Sequence, residues 1–331
     1  MSFIHKLDAL ALVVLLHAAA IADAADPQPP PTDCRIVFLG DSITHGGQYI
    51  DYIDALLRLQ NPAAKRELLN LGLPSETLSG LSEPGHAGGQ FPRPDLHERL
   101  DRILEQAKPN LVVACYGMND GIYYPPSEER LAKYQDGIRF LRARAAATHA
   151  GVLHVTPPVF DPVPIQGKTL PAGLAEYPQP YEGYDEVLDQ FSRWLVSQRA
   201  QGWDVVDAHG PMKEFLASER RKDPNFRLAG DGVHIDATGH WIIAQQILLA
   251  WGALSKEAAQ ATSGQQAVAA YAHGQEVLKL VAERQRVLRD AWLTATGHKR
   301  PGMKTGLPLD KAERRAGELN AAIDRLLKPT E

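Results

Sequence analysis

Between residues 35 and 251 short apolar runs alternate with longer amphipathic stretches, and this alternation narrows the possible folds more than any other feature of the chain. The runs at 35–39, 66–71, 110–115, 151–156 and 203–207 have the length and apolar density of buried strands. The stretches near 48–60, 95–107, 128–148, 182–200 and 237–251 carry apolar residues at helical spacing. Strands separated by helices pair in parallel, so the pattern predicts a three-layer α/β/α fold around a central parallel sheet. After Trp251 the strand-like runs stop. Val277, Leu280, Val281, Leu288, Ala291 and Trp292 form one helical stripe, and Ala316, Leu319, Ile323, Leu326 and Leu327 another. Residues 34–253 therefore read as one α/β domain and 254–331 as a helical extension, whose two stripes are joined by a glycine- and proline-punctuated connection, Gly297 to Pro308.

In a sheet of this class, ligands bind beyond the carboxyl ends of the strands. Four residue blocks fall in or near such places. Gly40-Asp41-Ser42 follows the first run, Asn70-Leu71-Gly72 the second, Gly117-Met118-Asn119-Asp120 the third, and Asp231-Gly232-Val233-His234 precedes the last helix. A serine hydroxyl becomes a nucleophile only with a base to take its proton and donors to hold the oxyanion. His234 can be that base, with Asp231 fixing its tautomer. A glycine N–H and an asparagine amide are neutral donors, so the Ser42 N–H, Gly72 and Asn119 form a candidate oxyanion hole. Asp236, just ahead of the last helix, reads as an N-cap.

These blocks, in this order, resemble the SGNH hydrolases, also called the GDSL esterase and lipase family, over Arg35 to about Trp251. The resemblance implies a flavodoxin-like variant of the fold, Ser42 as nucleophile, His234 as base, Asp231 as its acid, and Gly72 and Asn119 as oxyanion donors. The family's leucine is Ile43 here, an apolar residue in either case.

Substrate choice is expected from loops at the same sheet edge, chiefly Leu73 to Pro94 and Pro157 to Tyr181. Tyr116, Tyr123, Tyr124 and Phe160 are the candidate substrate contacts, and aromatic faces among polar groups suit sugar rings better than acyl chains. His298-Lys299-Arg300 offers either a solvated turn or a contact for an acidic group. A net charge of −5 argues against nucleic acid as a partner. His86, His97, His154 and His209 have no companions at metal-ligand spacing, and His240 falls inside a helix, so no metal or other cofactor is expected.

At the N-terminus, Lys6 precedes an apolar segment from Ala9 to Ala20 and a small-residue exit at Ala22-Asp23-Ala24, the pattern of a secretory signal over residues 1–24. Residues 25–33 form a proline-rich linker. The expectation is an exported protein, periplasmic or extracellular, with no stable membrane anchor after cleavage. Cys34 and Cys115 should lie at opposite strand ends, about 17 Å apart, and remain free thiols. The activity expected is a serine esterase removing O-acyl groups, acetyl foremost, from a small-molecule or polysaccharide ester. Lipolytic esterase or thioesterase activity is the alternative, and a catalytically silent glycan-binding module is a third reading.

Overall fold

A computed structural model describes residues 30–328; the signal-like segment lies outside the described residues. Five strands form one sheet: β1 (Asp33–Gly40), β2 (Lys65–Asn70), β3 (Leu111–Cys115), β4 (Gly151–Val155) and β5 (Asp204–Val206). Every neighbouring pair is parallel, in the order β2-β1-β3-β4-β5. The strand interiors are buried from Ile36 to Leu39 and from Val112 to Cys115. Burial on both faces is why these runs are continuously apolar rather than alternating.

Chain order against sheet order fixes where a site can form. The chain passes from β1 outward to β2, then returns across β1 to β3 and continues the other way. Right-handed crossovers place the connection after β1 on one face and those after β2, β3 and β4 on the other. The connections open away from each other between β1 and β3, leaving a crevice at their carboxyl ends. Gly40 pairs with Cys115 in register, so the chain leaves both strands at the same height. Ser42 and Asn119 follow those two exits.

The helices are α1 (Ser42–Gly46), α2 (Gln48–Gln60), α3 (Leu100–Ala107), α4 (Glu128–Ala147), α5 (Asp185–Ser197), α6 (His209–Lys222) and α7 (Ala237–Ala250). Helix α3 is shorter than the expected 95–107, because Asp95 caps a separate short turn over Leu96–Glu98. Two of these seven helices fall outside the stretches with helical spacing. One is α1, a single turn; the other is α6, whose polar sequence, with Pro211 in its first turn, lacks a long apolar stripe.

The extension is helical: α8 (Lys256–Ala259), α9 (Gly264–Ala269), α10 (Gly274–Thr296) and α11 (Leu309–Leu327). It shares the main hydrophobic core. Val277, Val281, Leu288 and Trp292 of α10 are buried with residues of α2 and β2, while α11 packs along α10. Polar anchors reinforce this: Gln285 Nε2 donates to Asp54 Oδ2 at 2.8 Å and Leu68 O at 3.0 Å, and Arg102 Nε donates to Thr296 O at 2.7 Å. Cys34 and Cys115 are both buried free thiols. Among the described residues no helix is long and apolar enough to cross a membrane.

Candidate active site

Ser42 begins α1 directly beyond β1. Asp41 caps that helix, its Oδ1 accepting from Ile43 N at 2.9 Å. As the first residue of the helix, Ser42 has an N–H with no intrahelical acceptor, so the donor is free to face a ligand. From the other side comes the loop between α6 and α7. Asp231 Oδ1 accepts from Val233 N at 3.0 Å and His234 N at 2.8 Å, folding the loop back on itself. Its Oδ2 lies 2.6 Å from His234 Nδ1, and His234 Nε2 lies 2.9 Å from Ser42 Oγ. The carboxylate can only accept, so Nδ1 carries the proton and Nε2 is left to accept from the serine hydroxyl. Partial burial pushes the Asp231 carboxyl upward, but hydrogen bonds from the His234 ring and the two N–H groups outweigh it and hold the group below the usual carboxylate range. It stays ionised and keeps the ring oriented. Asp236 caps α7, as its sequence position suggests, accepting from Thr238 N and Gly239 N.

The oxyanion donors need a correction. Gly72 N–H is already engaged, donating to Asn70 Oδ1 at 2.9 Å. Its glycine has another cause: a Cβ there would come within 2.7 Å of Thr44 C and 2.9 Å of Thr44 Cβ, so only glycine lets this loop lie against α1. Every other N–H of the loop can be traced. Leu71 donates to Phe38 O, Leu73 to Gly40 O, Glu76 to Leu73 O and Thr77 to Pro94 O, while Pro74 has none. Ser75 N–H alone has no partner among the described residues, and Ser75 sits in the left-handed region at φ 68°. Asn119 is held for donation. Its Nδ2 donates to Glu76 O at 3.2 Å, leaving one amide hydrogen, and Tyr123 OH donates to its Oδ1 at 3.2 Å, which fixes the amide's orientation.

The four aromatic candidates divide. Tyr116 is buried, its hydroxyl bonded to Glu76 Oε2 at 2.6 Å, and Phe160 is buried against Tyr123 and Tyr184. Neither can touch a substrate, because each fills the core beneath the loops. Tyr123 supports Asn119 and stacks on Tyr184 at 4.8 Å. Tyr124 is partly exposed beside Tyr177. Of the four, Tyr123 and Tyr124 are partly exposed, and the Arg130 guanidinium lies over the Tyr124 ring at 5.3 Å.

Beneath the site lie charged residues that periodicity cannot reveal. Arg99 donates to both oxygens of Glu76 at 2.6 and 2.7 Å and to Leu71 O at 2.8 Å, with both side chains buried. This bidentate pair joins the Gly72–Glu76 loop to the start of α3. Asp120 is buried and accepts from Leu78 N and Ser79 N, each at 2.8 Å; burial still raises its carboxyl to about 6. Asn70 Nδ2 donates to Thr44 O at 2.7 Å, tying β2 to α1. The Asn-x-Gly block held this signal, but its asparagine rather than its glycine side carries the bond. His240 is a core residue stacked on Tyr49, and burial lowers it to about 4.

His209, expected to stand alone, has companions brought from another helix: Asp185 and Asp189 of α5 converge on it. Lys213 Nζ sits 2.9 Å from Asp185 Oδ2 and 2.6 Å from Asp189 Oδ2, so an ammonium already occupies the cationic place in this cluster.

Comparison with known proteins agrees with this geometry. Residues 38–242 match the GDSL-like lipase/acylhydrolase family. A search of curated proteins found no match. Among solved structures, BT4096, a gut microbial diltiazem-metabolizing enzyme, is 16% identical with a TM-score of 0.66, covering 92% of this chain and 97% of its own. Axe2, an acetylxylan esterase from Geobacillus stearothermophilus, is 21% identical with a TM-score of 0.48, over 66% of this chain and 94% of its own. The acetyl xylan esterase AlAXEase is 19% identical with a TM-score of 0.47, over 65% and 98%. The first likeness extends the shared fold through the C-terminal helices. With a family match that spans more than half its length, this chain belongs to the GDSL-like lipase/acylhydrolase family and is a carboxylic ester hydrolase.

Proposed function

We propose that the protein is an exported serine esterase that removes short acyl groups, acetyl foremost, from carbohydrate. The observation that carries the mechanism is the unbroken relay Asp231 Oδ2, His234 Nδ1, His234 Nε2, Ser42 Oγ, at 2.6 and 2.9 Å. Ser42 Oγ attacks the ester carbonyl while His234 Nε2 takes its proton, and Asp231 stabilises the imidazolium. Negative charge on the carbonyl oxygen is met by Ser42 N–H, the remaining Asn119 amide hydrogen and Ser75 N–H. His234 returns the proton to the leaving alcohol, and a water activated by the same ring releases the acyl group from Ser42.

Openness of the site favours a carbohydrate ester over a lipid. The His234 and Asp231 side chains are 55% and 57% exposed, so a bulky substrate can lie across the sheet edge and insert only its ester. A long acyl chain would need an enclosed apolar channel. The test is acetate release from a panel of acetylated polysaccharides by wild type and Ser42→Ala, with a chain-length series of p-nitrophenyl esters. Loss of release in Ser42→Ala and a rate maximum at acetyl are expected. Release that survives Ser42→Ala defeats the mechanism, and a maximum at long chains replaces the carbohydrate reading with a lipolytic one. Export is tested by N-terminal sequencing of the mature protein, which should begin near Asp26.

A further inference from the structure

We infer that the C-terminal helices are part of the catalytic apparatus, because Arg289 of α10 is a positioning residue that holds the carboxyl end of the helix bearing Ser42. This rests on Ser42 being the nucleophile. Helix α1 is one turn long, Ser42–Gly46, and a single turn has little stability of its own. Its last carbonyls are therefore bonded from outside. Thr44 O accepts from Asn70 Nδ2 at 2.7 Å, and His45 O accepts from Arg289 Nη1 at 2.8 Å, with Asn70 Nδ2 a more distant second donor at 3.4 Å. Ser42 and His45 are three residues apart, so they share a face of the turn, and what fixes one sets the direction of the other.

The guanidinium is itself fixed. Arg289 Nε and Nη2 both donate to Asp290 Oδ1, at 2.9 and 2.8 Å, which leaves Nη1 for His45 O. Gln285, one turn earlier on the same face of α10, is bonded to Asp54 and Leu68 O, so the arginine extends from a helix already locked to the catalytic domain. Burial first, and the Arg289 charge next, lower the His45 ring to about 4, so it is neutral beside the guanidinium at ordinary pH. Asn70 Oδ1 meanwhile holds Gly72 N–H. One connected set of hydrogen bonds thus joins α10, the nucleophile turn and the Gly72 loop.

The test uses the full chain with p-nitrophenyl acetate as substrate and a fluorophosphonate probe of Ser42. Arg289→Met keeps the apolar stem and removes the donors; Arg289→Lys restores one donor. Arg315→Ala, which breaks exposed pairs with Glu283 and Glu318 on the outer surface of the extension, serves as the control. Arg289→Met should lower kcat about 10- to 100-fold with KM within about two-fold, and slow probe labelling in proportion. Its melting temperature should stay within about 3 °C of wild type. Arg289→Lys should recover most of the rate, and added ethylguanidinium should raise the rate of Arg289→Met. Wild-type kcat in Arg289→Met overturns the inference. So does a loss that follows the melting temperature and is recovered by neither lysine nor ethylguanidinium. If wild type does not turn over the ester, or Ser42→Ala does, the nucleophile assignment itself fails, a result distinct from a wild-type-like Arg289→Met.

Discussion

Gly72→Ala separates two roles that one glycine could have, because alanine keeps the N–H and adds only a methyl group. That methyl would lie 2.7 Å from Thr44 C and 2.9 Å from Thr44 Cβ, and it would also press on His45 N. Carbon atoms rest at about 3.5–4.0 Å, so the loop and α1 must separate by roughly 1 Å. His45 N donates to Asp41 O at 2.9 Å, the bond that closes the α1 turn, and displacement there moves Ser42 as well. A shift of about 1 Å takes the 2.9 Å contact between Ser42 Oγ and His234 Nε2 out of hydrogen-bond range. The expected loss in kcat is about 100-fold. Overpacking of this kind costs about 1–3 kcal/mol of stability, a lowering of the melting temperature by several degrees. Steady-state hydrolysis of p-nitrophenyl acetate, probe labelling of Ser42 and thermal unfolding measure all three. If Gly72→Ala keeps kcat within two-fold and melts with wild type, the close packing of loop on nucleophile turn is not what the glycine provides, and the reasoning fails.

Four further outcomes follow from the same geometry. Asp231→Ala should lower kcat/KM by about 5- to 1000-fold, since an ion pair at about 4 Å is worth about 1–4 kcal/mol between water-like and surface dielectrics; an unchanged value would remove Asp231 from the relay. Tyr123→Phe frees the Asn119 amide to turn and should cost about 2- to 10-fold in kcat with KM unchanged, and a pure KM effect would make Tyr123 a substrate contact instead. Burial raises the Asp41 carboxyl to about 7, so between about pH 4 and pH 7 the folded chain binds a proton that the unfolded chain releases. Stability from this group is present at low pH and falls as pH rises through that window; Asp41→Asn, which keeps the cap acceptor, should flatten the slope in urea unfolding, and identical slopes would contradict the shift. Because Lys213 already neutralises the Asp185–Asp189–His209 cluster, excess chelator should leave kcat unchanged, and a chelator-sensitive, metal-restored rate would show that an ion displaces the lysine.

What could be read from the chain is what depends on local chemistry. The five strands show because burial on both sides demands unbroken apolar runs such as Ile36 to Leu39, and Ser42, Asn119 and the Asp231–His234 pair show because each follows a strand or precedes a capped helix. Asp231 and His234 are close in sequence, so their mutual hydrogen bond is a local property. The donors of the oxyanion region are different. Whether Gly72 N–H is free depends on where the Asn70 side chain points, and the pairing of Glu76 with Arg99 spans residues with no periodic relation. Tyr116 and Phe160 look like substrate contacts in the sequence because spacing does not separate the upper surface of the site from its underside; burial does. Helix α6 escaped because its polar stretch buries only His209, Met212 and Leu216.

These differences share a pattern that bears on how the enzyme works. The relay groups Asp231 and His234 are more than half exposed, whereas Arg99 and Glu76 under the Gly72–Glu76 loop, Asp120 under Asn119 and Asn70 behind α1 are buried, and Arg289 beside them is partly buried. Exposure lowers the electrostatic contribution of the Asp231–His234 pair, because water screens it. The site must then rely more on fixed geometry than on a low dielectric, and geometry here is set by elements far apart in sequence that meet at a one-turn helix. An open relay on a rigid base can accept substrates of many shapes at the sheet edge while holding the ester carbonyl in one orientation. Substitutions in the exposed loops should accordingly change which ester is bound, and those in the buried support should change how fast any ester is cleaved.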